Sequence, residues 1–385
     1  MRPAATGAGE GERRLKVLFL FEGLYGRGAE RVSLGLISRL DRARFEPSIW
    51  ILRAEDALKA EVPADVPVTV VLRGDERIRH APLRVPATLL RQARAADVVV
   101  GTVELMPTYF AGLAALLTGT PAVGWVRNSL DHTFAEQPGW HRWLSRQVYA
   151  RLSRLVFVSQ GVRQTLGRLQ HLRAERTRVV YNPVDLRRVV EWGQEAPPAW
   201  AEALFRRPTV LAAGRLSRQK GFDILIRAHA RLLAQGVEHD LLILGEGAPH
   251  AELLALARDL GVGGSVHLPG HVANPYPLMR RAAVFALPSR WEGFANVVVE
   301  ALACGVPVVA TDCPSGPAEI LAGGRHGLLV PPDDPEALAG ALGRVLADPA
   351  LAARLRDGGP DRAQAFAPEV TVPQWEQVLR QTGWR

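Results

Sequence analysis

Two carboxylates eight positions apart, Glu292 and Glu300, stand in a stretch that also holds a glycine turn, a helix start and a buried strand. The stretch runs from Pro288 to Ile320 as PSRWEGFANVVVEALACGVPVVATDCPSGPAEI. Glu300 follows three valines and precedes Ala301-Leu302-Ala303, and a carboxylate inside an apolar helix needs a partner. It can accept hydrogen bonds from two neighbouring hydroxyls, as on a ribose. Glu292 sits nearer the loop and can meet a sugar hydroxyl. The plain alternative is a loop charge and a charge on a solvated helix face. Arg215 and Lys220 form a second pair, five positions apart across a turn. They can converge on a diphosphate, Arg by its fork and Lys as a point charge. Such cations stabilise a departing nucleoside diphosphate without a metal. The alternative is two exposed surface cations. Lys220 is one of only three lysines, with Lys16 and Lys59, in a chain whose other basic residues are arginines. A lysine kept against that bias invites a chemical explanation.

The elements around these residues are legible. Val284–Leu287 is a short apolar run, long enough for a buried strand, and Pro288 and Ser289 end it. Glu292, Gly293 and Phe294 form a turn. A helix runs from Ala295 to about Cys304, stopped by Gly305 and Pro307, and Val306–Ala310 is the next strand. In such βαβ units ligands sit at the carboxyl ends of the strands. The free N–H groups at the helix start, near Asn296 and Val297, suit a phosphate. Upstream the same pattern appears as strand Thr209–Ala213, loop Gly214–Gly221 and helix Phe222–Ala234. Near the N-terminus, strand Lys16–Phe21 leads through a glycine loop into a helix from Ala29 to about Leu40. Gly28 there lets the backbone approach a ligand, or serves a simple strand-to-helix turn. The loop is not GxGxxG, and no acidic residue sits suitably on the second strand, which argues against a dinucleotide cofactor.

These residues carry a resemblance. Glu292-Gly293-Phe294 through Glu300 resembles the E-x7-E signature of retaining glycosyltransferases of family 4, and the likeness continues through Ala301–Thr311 and Ser315-Gly316-Pro317. Gly214-Arg215-Leu216 through Lys220-Gly221 is similar to the family's GRL-x-x-x-KG loop. Gly28-Ala29-Glu30-Arg31-Val32 is similar to its GGAER loop, with Arg27 in place of the first glycine. The resemblance implies an α/β fold of two Rossmann-like parallel-sheet domains facing across a cleft, the GT-B fold. It implies transfer of a hexosyl or N-acetylhexosaminyl unit, with retention, from a nucleoside-diphosphate sugar, often a UDP-sugar. Cell-surface polysaccharide or glycolipid is the expected product, so the acceptor is a glycan or lipid-linked. Glu292, Arg215 and Lys220 take the catalytic positions. Gly28, Arg127, Gly214, Gly293, Phe294, Asn296, Val297 and Glu300 take the substrate-binding ones. Arg127 stands where many relatives carry a histidine that contacts the reacting sugar. No cofactor or metal is implied.

The expected layout is a disordered segment over 1–14, an acceptor-side domain over 15–186, a linker over 187–208 containing Pro197-Pro198, a nucleotide-sugar domain over 209–360, and a C-terminal helix over 361–385 returning to the first domain. With 385 residues, 48% of them hydrophobic, the chain has room for such cores. A formal charge of +8 favours acidic partners. Nucleic acid is disfavoured, because the basic residues are scattered rather than striped with aromatics; an anionic membrane surface is the alternative. Cys304 and Cys313 read as buried free thiols, which fits a reducing cytoplasm. The first fifteen residues lack the apolar core of a secretion signal. Leu105–Val126 has no charge and is long enough to span a bilayer. Its prolines and glycines instead predict a buried helix, a turn and a strand. Trp140–Leu152 reads as an amphipathic helix that either lies on anionic lipid through its arginines or, as the commoner fate, packs Trp140, Trp143 and Tyr149 inward. Two other functions remain open: a binding protein of this fold without catalysis, and a dinucleotide-dependent oxidoreductase.

Overall fold

The short apolar runs assemble into two parallel sheets in the computed structural model, which describes residues 13–54, 57–135 and 137–383. The first sheet contains β1 (Leu15–Phe21), β2 (Phe45–Arg53), β3 (Val68–Leu72), β4 (Val98–Gly101), β5 (Ala122–Val126), β6 (Arg154–Phe157) and β7 (Thr177–Val179), in the order β3-β2-β1-β4-β5-β6-β7. The second contains β8 (Thr209–Ala213), β9 (Asp240–Leu244), β10 (Val266–Gly270), β11 (Val284–Leu287), β12 (Val308–Thr311) and β13 (Leu328–Val330), in the order β10-β9-β8-β11-β12-β13. Parallel strands need crossover connections, and the helices that supply them cover the sheet faces. That is why central strands such as β4, β5, β11 and β12 are buried along their whole length.

The described residues gather into two compact units. One comprises those of Met1–Trp125, His141–Val156 and Gln374–Arg385, the other Val126–Trp140 and Phe157–Pro373. In the first, β1 pairs with β2 and β4, and Trp375 packs on Trp125 with ring centroids 4.2 Å apart. In the second, β8 lies between β9 and β11, with Leu211 opposite both Leu242 and Phe285. The chain lays β9 and β10 to one side of β8 and then places β11 on the other. The order therefore reverses between β8 and β11, and the carboxyl ends of those two strands form a switch point where ligands bind in such sheets.

Several local expectations change. Residues 1–12 of the expected disordered segment lie outside the described residues; Arg13 and Arg14 are held, Arg13 by Asp97 at 2.6 Å and Arg14 by Glu46 at 3.4 Å. The expected polar linker is itself structured, with a helix at Leu186–Trp192 and 3-10 turns at Ala199–Arg206, because Val189 and Ala201 bury their side chains. The strand expected from Val306 starts at Val308, since Gly305 turns the chain with φ +66° just before it. The uncharged span at Leu105 is the expected helix, Met106–Thr118, ended by Gly119 at φ +74°, and then β5, but the helix is buried on one face only, with Leu116 and Leu117 exposed. Among the described residues no helix is long and apolar enough to cross a membrane. Of the three aromatics expected inside, only Tyr149 is buried; Trp140 and Trp143 are exposed.

One buried polar chain sets a pH limit. His229 Nδ1 lies 2.8 Å from His239 Nε2, His229 Nε2 lies 2.8 Å from Ser265 Oγ, and His239 Nδ1 lies 2.9 Å from the Val237 carbonyl. Burial, with the neighbouring histidines, pushes the His229 pKa down to about 3, and burial lowers His239 as well. The His229 ring stays neutral in the fold but takes up a proton near pH 6.5 once unfolded, and the lowered His239 acts in the same direction. Their contribution is therefore complete above pH 6.5 and is lost as pH falls below it. For His229 alone the loss is about 1.4 kcal/mol per pH unit. Urea unfolding from pH 7.5 to 5 should show this decline, and a His229→Gln variant should show a shallower one. Equal slopes would remove the pair from the account.

Candidate functional site

The loops that leave β8 and β11 are pressed together. Gly221 ends the first loop at φ +64°, and a Cβ there would lie 2.1 Å from the carbonyl oxygen of Pro288, at the end of β11. This contact needs glycine twice, for the left-handed backbone and for the close approach. It brings Lys220 to Glu292, with Nζ donating to Oε1 at 2.6 Å. The side chains are 18% and 6% exposed, so the ion pair is largely shielded from water. Ser289 Oγ donates to the same carboxylate oxygen at 2.6 Å.

Arg290 ties the second loop down. Its guanidinium donates twice to Asp223, at 2.9 and 2.8 Å, once to Asp333 at 2.6 Å and once to the Arg218 carbonyl at 2.8 Å. Burial alone would raise the Asp223 carboxyl, but the hydrogen bonds and charge of Arg290 outweigh it and hold the pKa low. The same bonds raise the pKa of Arg290. A hollow of about 420 Å³ is lined by His132, Arg218, Arg290, Trp291 and Asp333, several of them sequence neighbours of Lys220 and Glu292. A larger cavity of about 560 Å³ lies at the opposite strand ends, among Arg206, Arg207, Arg280, Arg281 and Arg356, and includes neither Lys220 nor Glu292.

The backbone from Glu292 to Ala295 is held from several segments. Ser159 Oγ donates to the Gly293 carbonyl at 2.8 Å, and Ser315 Oγ donates to that of Glu292. A Cβ at Gly293 would fall 1.7 Å from the Arg127 carbonyl oxygen, and one at Gly316, φ +95°, would fall 2.4 Å from that of Phe294. Ala295 then takes a left-handed conformation, φ +72°, and the helix Asn296–Ala303 begins with no side chain capping its N-terminus. The first N–H groups of that helix thus lack the usual side-chain acceptor. The Asn296 side chain instead accepts from Asn182 Nδ2 at 2.9 Å.

The candidate residues therefore fall into distinct settings. Lys220 and Glu292 meet. Gly214 and Arg215 lie on the same loop as Lys220, with Arg215 exposed. Gly293, Asn296 and Val297 form the turn and helix start, and Glu300 is half-buried on that helix. Phe294 is buried, its ring 5.4 Å from those of both Tyr181 and Phe366, so its side chain serves packing and its backbone is what the turn offers. Arg127 is buried, with its carbonyl against Gly293. Gly28 opens the helix Gly28–Arg39 in the other unit; a Cβ there would meet nothing within 4 Å, and the left-handed glycine of that loop is Gly26, φ +86°.

Sequence reasoning passed over Ser159, Ser289, Arg290 and Glu319. Glu319 accepts from the Gln160 and Gly161 N–H groups, both at 2.8 Å, and so caps the helix Gln160–Leu169. It also accepts from the Tyr181 hydroxyl at 3.2 Å; burial and this carboxylate push the Tyr181 pKa up to about 12. Only Ser289, three residues before Glu292, had a local signal. Cys304 and Cys313 are buried free thiols, each pushed up to about 12 chiefly by burial, so neither is a ready nucleophile.

Comparison with known proteins decides the family. Residues 26–188 match the model described as Glycosyltransferase Family 4, and residues 207–348 match the one described as Glycosyl transferases group 1. A Campylobacter jejuni relative is 31% identical over 267 residues, 69% of each chain. That protein is N-acetylgalactosamine-N,N'-diacetylbacillosaminyl-diphospho-undecaprenol 4-alpha-N-acetylgalactosaminyltransferase. The chain belongs to glycosyltransferase family 4. The lipopolysaccharide core biosynthesis glycosyltransferase LpsE of Rhizobium meliloti is 37% identical to this transferase over 173 residues, 45% of this chain and 49% of LpsE. Among solved structures, Anabaena HepE in complex with UDP superposes with a TM-score of 0.81 at 22% identity, covering 95% of this chain and all of HepE. The transferase accordingly has the GT-B fold, built from the two parallel sheets described above.

Proposed function

We propose that the protein moves a hexosyl or N-acetylhexosaminyl unit from a nucleoside-diphosphate sugar, a UDP-sugar by preference, to a glycan or lipid-linked acceptor, with retention and without a metal. The observation that carries this reading is the Lys220–Glu292 pair at the β8/β11 switch point, next in sequence to a helix start that no side chain caps. Lys220, Arg215 and the N–H groups of Asn296 and Val297 take up the charge of the departing diphosphate. Gly214 leaves room for it, Glu300 accepts from the ribose hydroxyls, and Glu292 orients the sugar with the backbone of Gly293 and Phe294. The bond from the sugar C1 to the phosphate oxygen breaks as the acceptor oxygen bonds to C1 on the same face. The acceptor proton passes to the departing phosphate oxygen, so no enzyme nucleophile is required. Arg127 completes the wall beside Gly293. The relatives' names support the acceptor class, since one acts on a diphospho-undecaprenol-linked glycan and another on lipopolysaccharide core. HepE in complex with UDP supports the donor class.

The purified protein should melt at higher temperature with UDP than with GDP or ADP, in the presence of a chelator. A ligand at a hundred times its Kd adds about 2.7 kcal/mol, a shift of several degrees. Silence towards every nucleotide, or a shift that requires a divalent metal, would overturn this reading.

A further inference from the structure

The first unit carries an apolar surface framed by arginines. The helix Met106–Thr118 has no charged residue; it buries Pro107, Thr108, Tyr109, Ala111 and Ala114, and turns Leu113, Leu116 and Leu117 outward. Leu116 is 69% exposed and Leu117 53%. Two helices flank it. On one side Tyr109 Oη lies 2.7 Å from Ser145 Oγ, and Gly112 sits against Val148, which fixes the helix Gly139–Arg151 alongside. This neighbour presents Trp143, 65% exposed, with exposed Arg142 and Arg146. On the other side is the helix Arg84–Ala95, tied through Thr120 Oγ1 donating to the Ala93 carbonyl at 2.8 Å, with Arg91 and Arg94 exposed.

None of the three helices contains an aspartate or glutamate. Among the described residues, no carboxylate pairs with Arg91, Arg94, Arg142, Arg146 or Arg151, although arginines elsewhere in the chain find such partners. Exposed leucines and a tryptophan cost solvation without returning packing unless the patch meets something apolar, and arginines without carboxylate partners around them favour a surface that is also anionic. A helix of thirteen residues cannot cross a bilayer, but it can lie in the interface with leucines among the acyl chains and arginines among the headgroups. Tryptophan suits the same depth.

We propose that this face, Leu113, Leu116, Leu117 and Trp143 within the rim of Arg91, Arg94, Arg142 and Arg146, docks the protein on an anionic phospholipid bilayer. The surface contains none of the residues assigned to the donor, so the two readings fail separately. The test is sedimentation of the full chain with vesicles rich in phosphatidylglycerol against vesicles of phosphatidylcholine alone, at low and high salt. The wild-type protein should pellet only with the anionic vesicles, and less at high salt. Leu116→Glu with Leu117→Glu should weaken that binding by about ten-fold or more, because the inserted face is lost. Arg142→Glu with Arg146→Glu should weaken it too and flatten the salt dependence. Both variants alter exposed side chains, so each should keep the wild-type melting temperature and its shift with UDP. No pelleting with anionic vesicles, or pelleting that ignores the leucine pair, overturns the proposal. A wild-type dimer that the leucine pair dissolves, without vesicle binding, overturns it in favour of a contact between copies.

Discussion

Glu292→Gln lowers the rate of sugar transfer by about 10²–10³-fold, the usual effect of removing one preorganised electrostatic group from a transfer site. The geometry says why glutamine is the right probe. Glu292 is held by Lys220 and Ser289 and is almost fully buried. Alanine would leave the Lys220 ammonium unpaired in a shielded position, and breaking a buried pair costs about 3–5 kcal/mol. Lost activity would then be confused with lost fold. Glutamine keeps the size and an acceptor for the Ser289 hydroxyl, and removes the charge that pairs with Lys220 and that the proposed function assigns to orienting the donor. Saturating initial rates should fall while KM changes little, as for an interaction made in the transition state. Lys220→Gln should produce a loss of similar size with a weaker UDP-induced melting shift, since it removes the cation that the proposed function places on the diphosphate. Wild-type turnover in both variants would sink the assignment.

Gly293→Ala has the largest expected effect on the fold. The added methyl would sit 1.7 Å from the Arg127 carbonyl oxygen, well inside any permitted contact. Backbone must move, and this backbone is tied by Ser159 and Ser315. We expect a loss of at least about 4 kcal/mol, in the range reserved for such backbone collisions. Each kcal/mol lowers the melting midpoint by about 2–4 °C in domains of this size, so a fall of roughly ten degrees follows. Gly28→Ala is the matched control. It opens a helix with open space around it, and alanine there should be neutral or stabilising by up to about 1 kcal/mol. Equal midpoints for the two variants would show that the Gly293 turn is loose.

The candidate site was partly legible because its pieces are local. Glu292, Gly293 and the helix start are contiguous, as are Gly214, Arg215 and Lys220, and each cluster follows a strand. For Glu292 and Phe294 the structure adds what the sequence did not show. The first is paired and nearly buried, and the ring of the second belongs to an aromatic core. Amphipathicity marked the arginine-rich helix, but not which of its aromatics would be covered. That depends on the neighbouring helix, and the contact at Gly112 and Val148 leaves Trp143 outside.

By itself the sequence determined the series of parallel strands and crossover helices, and bounds such as Thr209–Ala213 and Phe222–Ala234. A doubly covered strand must be an unbroken apolar run, and glycine and proline end it, so the signal lies within a few neighbouring residues. The tertiary structure alone decided which loops meet. Lys220 reaches Glu292 across 72 positions, and Arg290 joins Asp223 to Asp333, because β11 returns to lie against β8. Strand order is fixed by how whole layers bury their faces, and no local period in the chain encodes it.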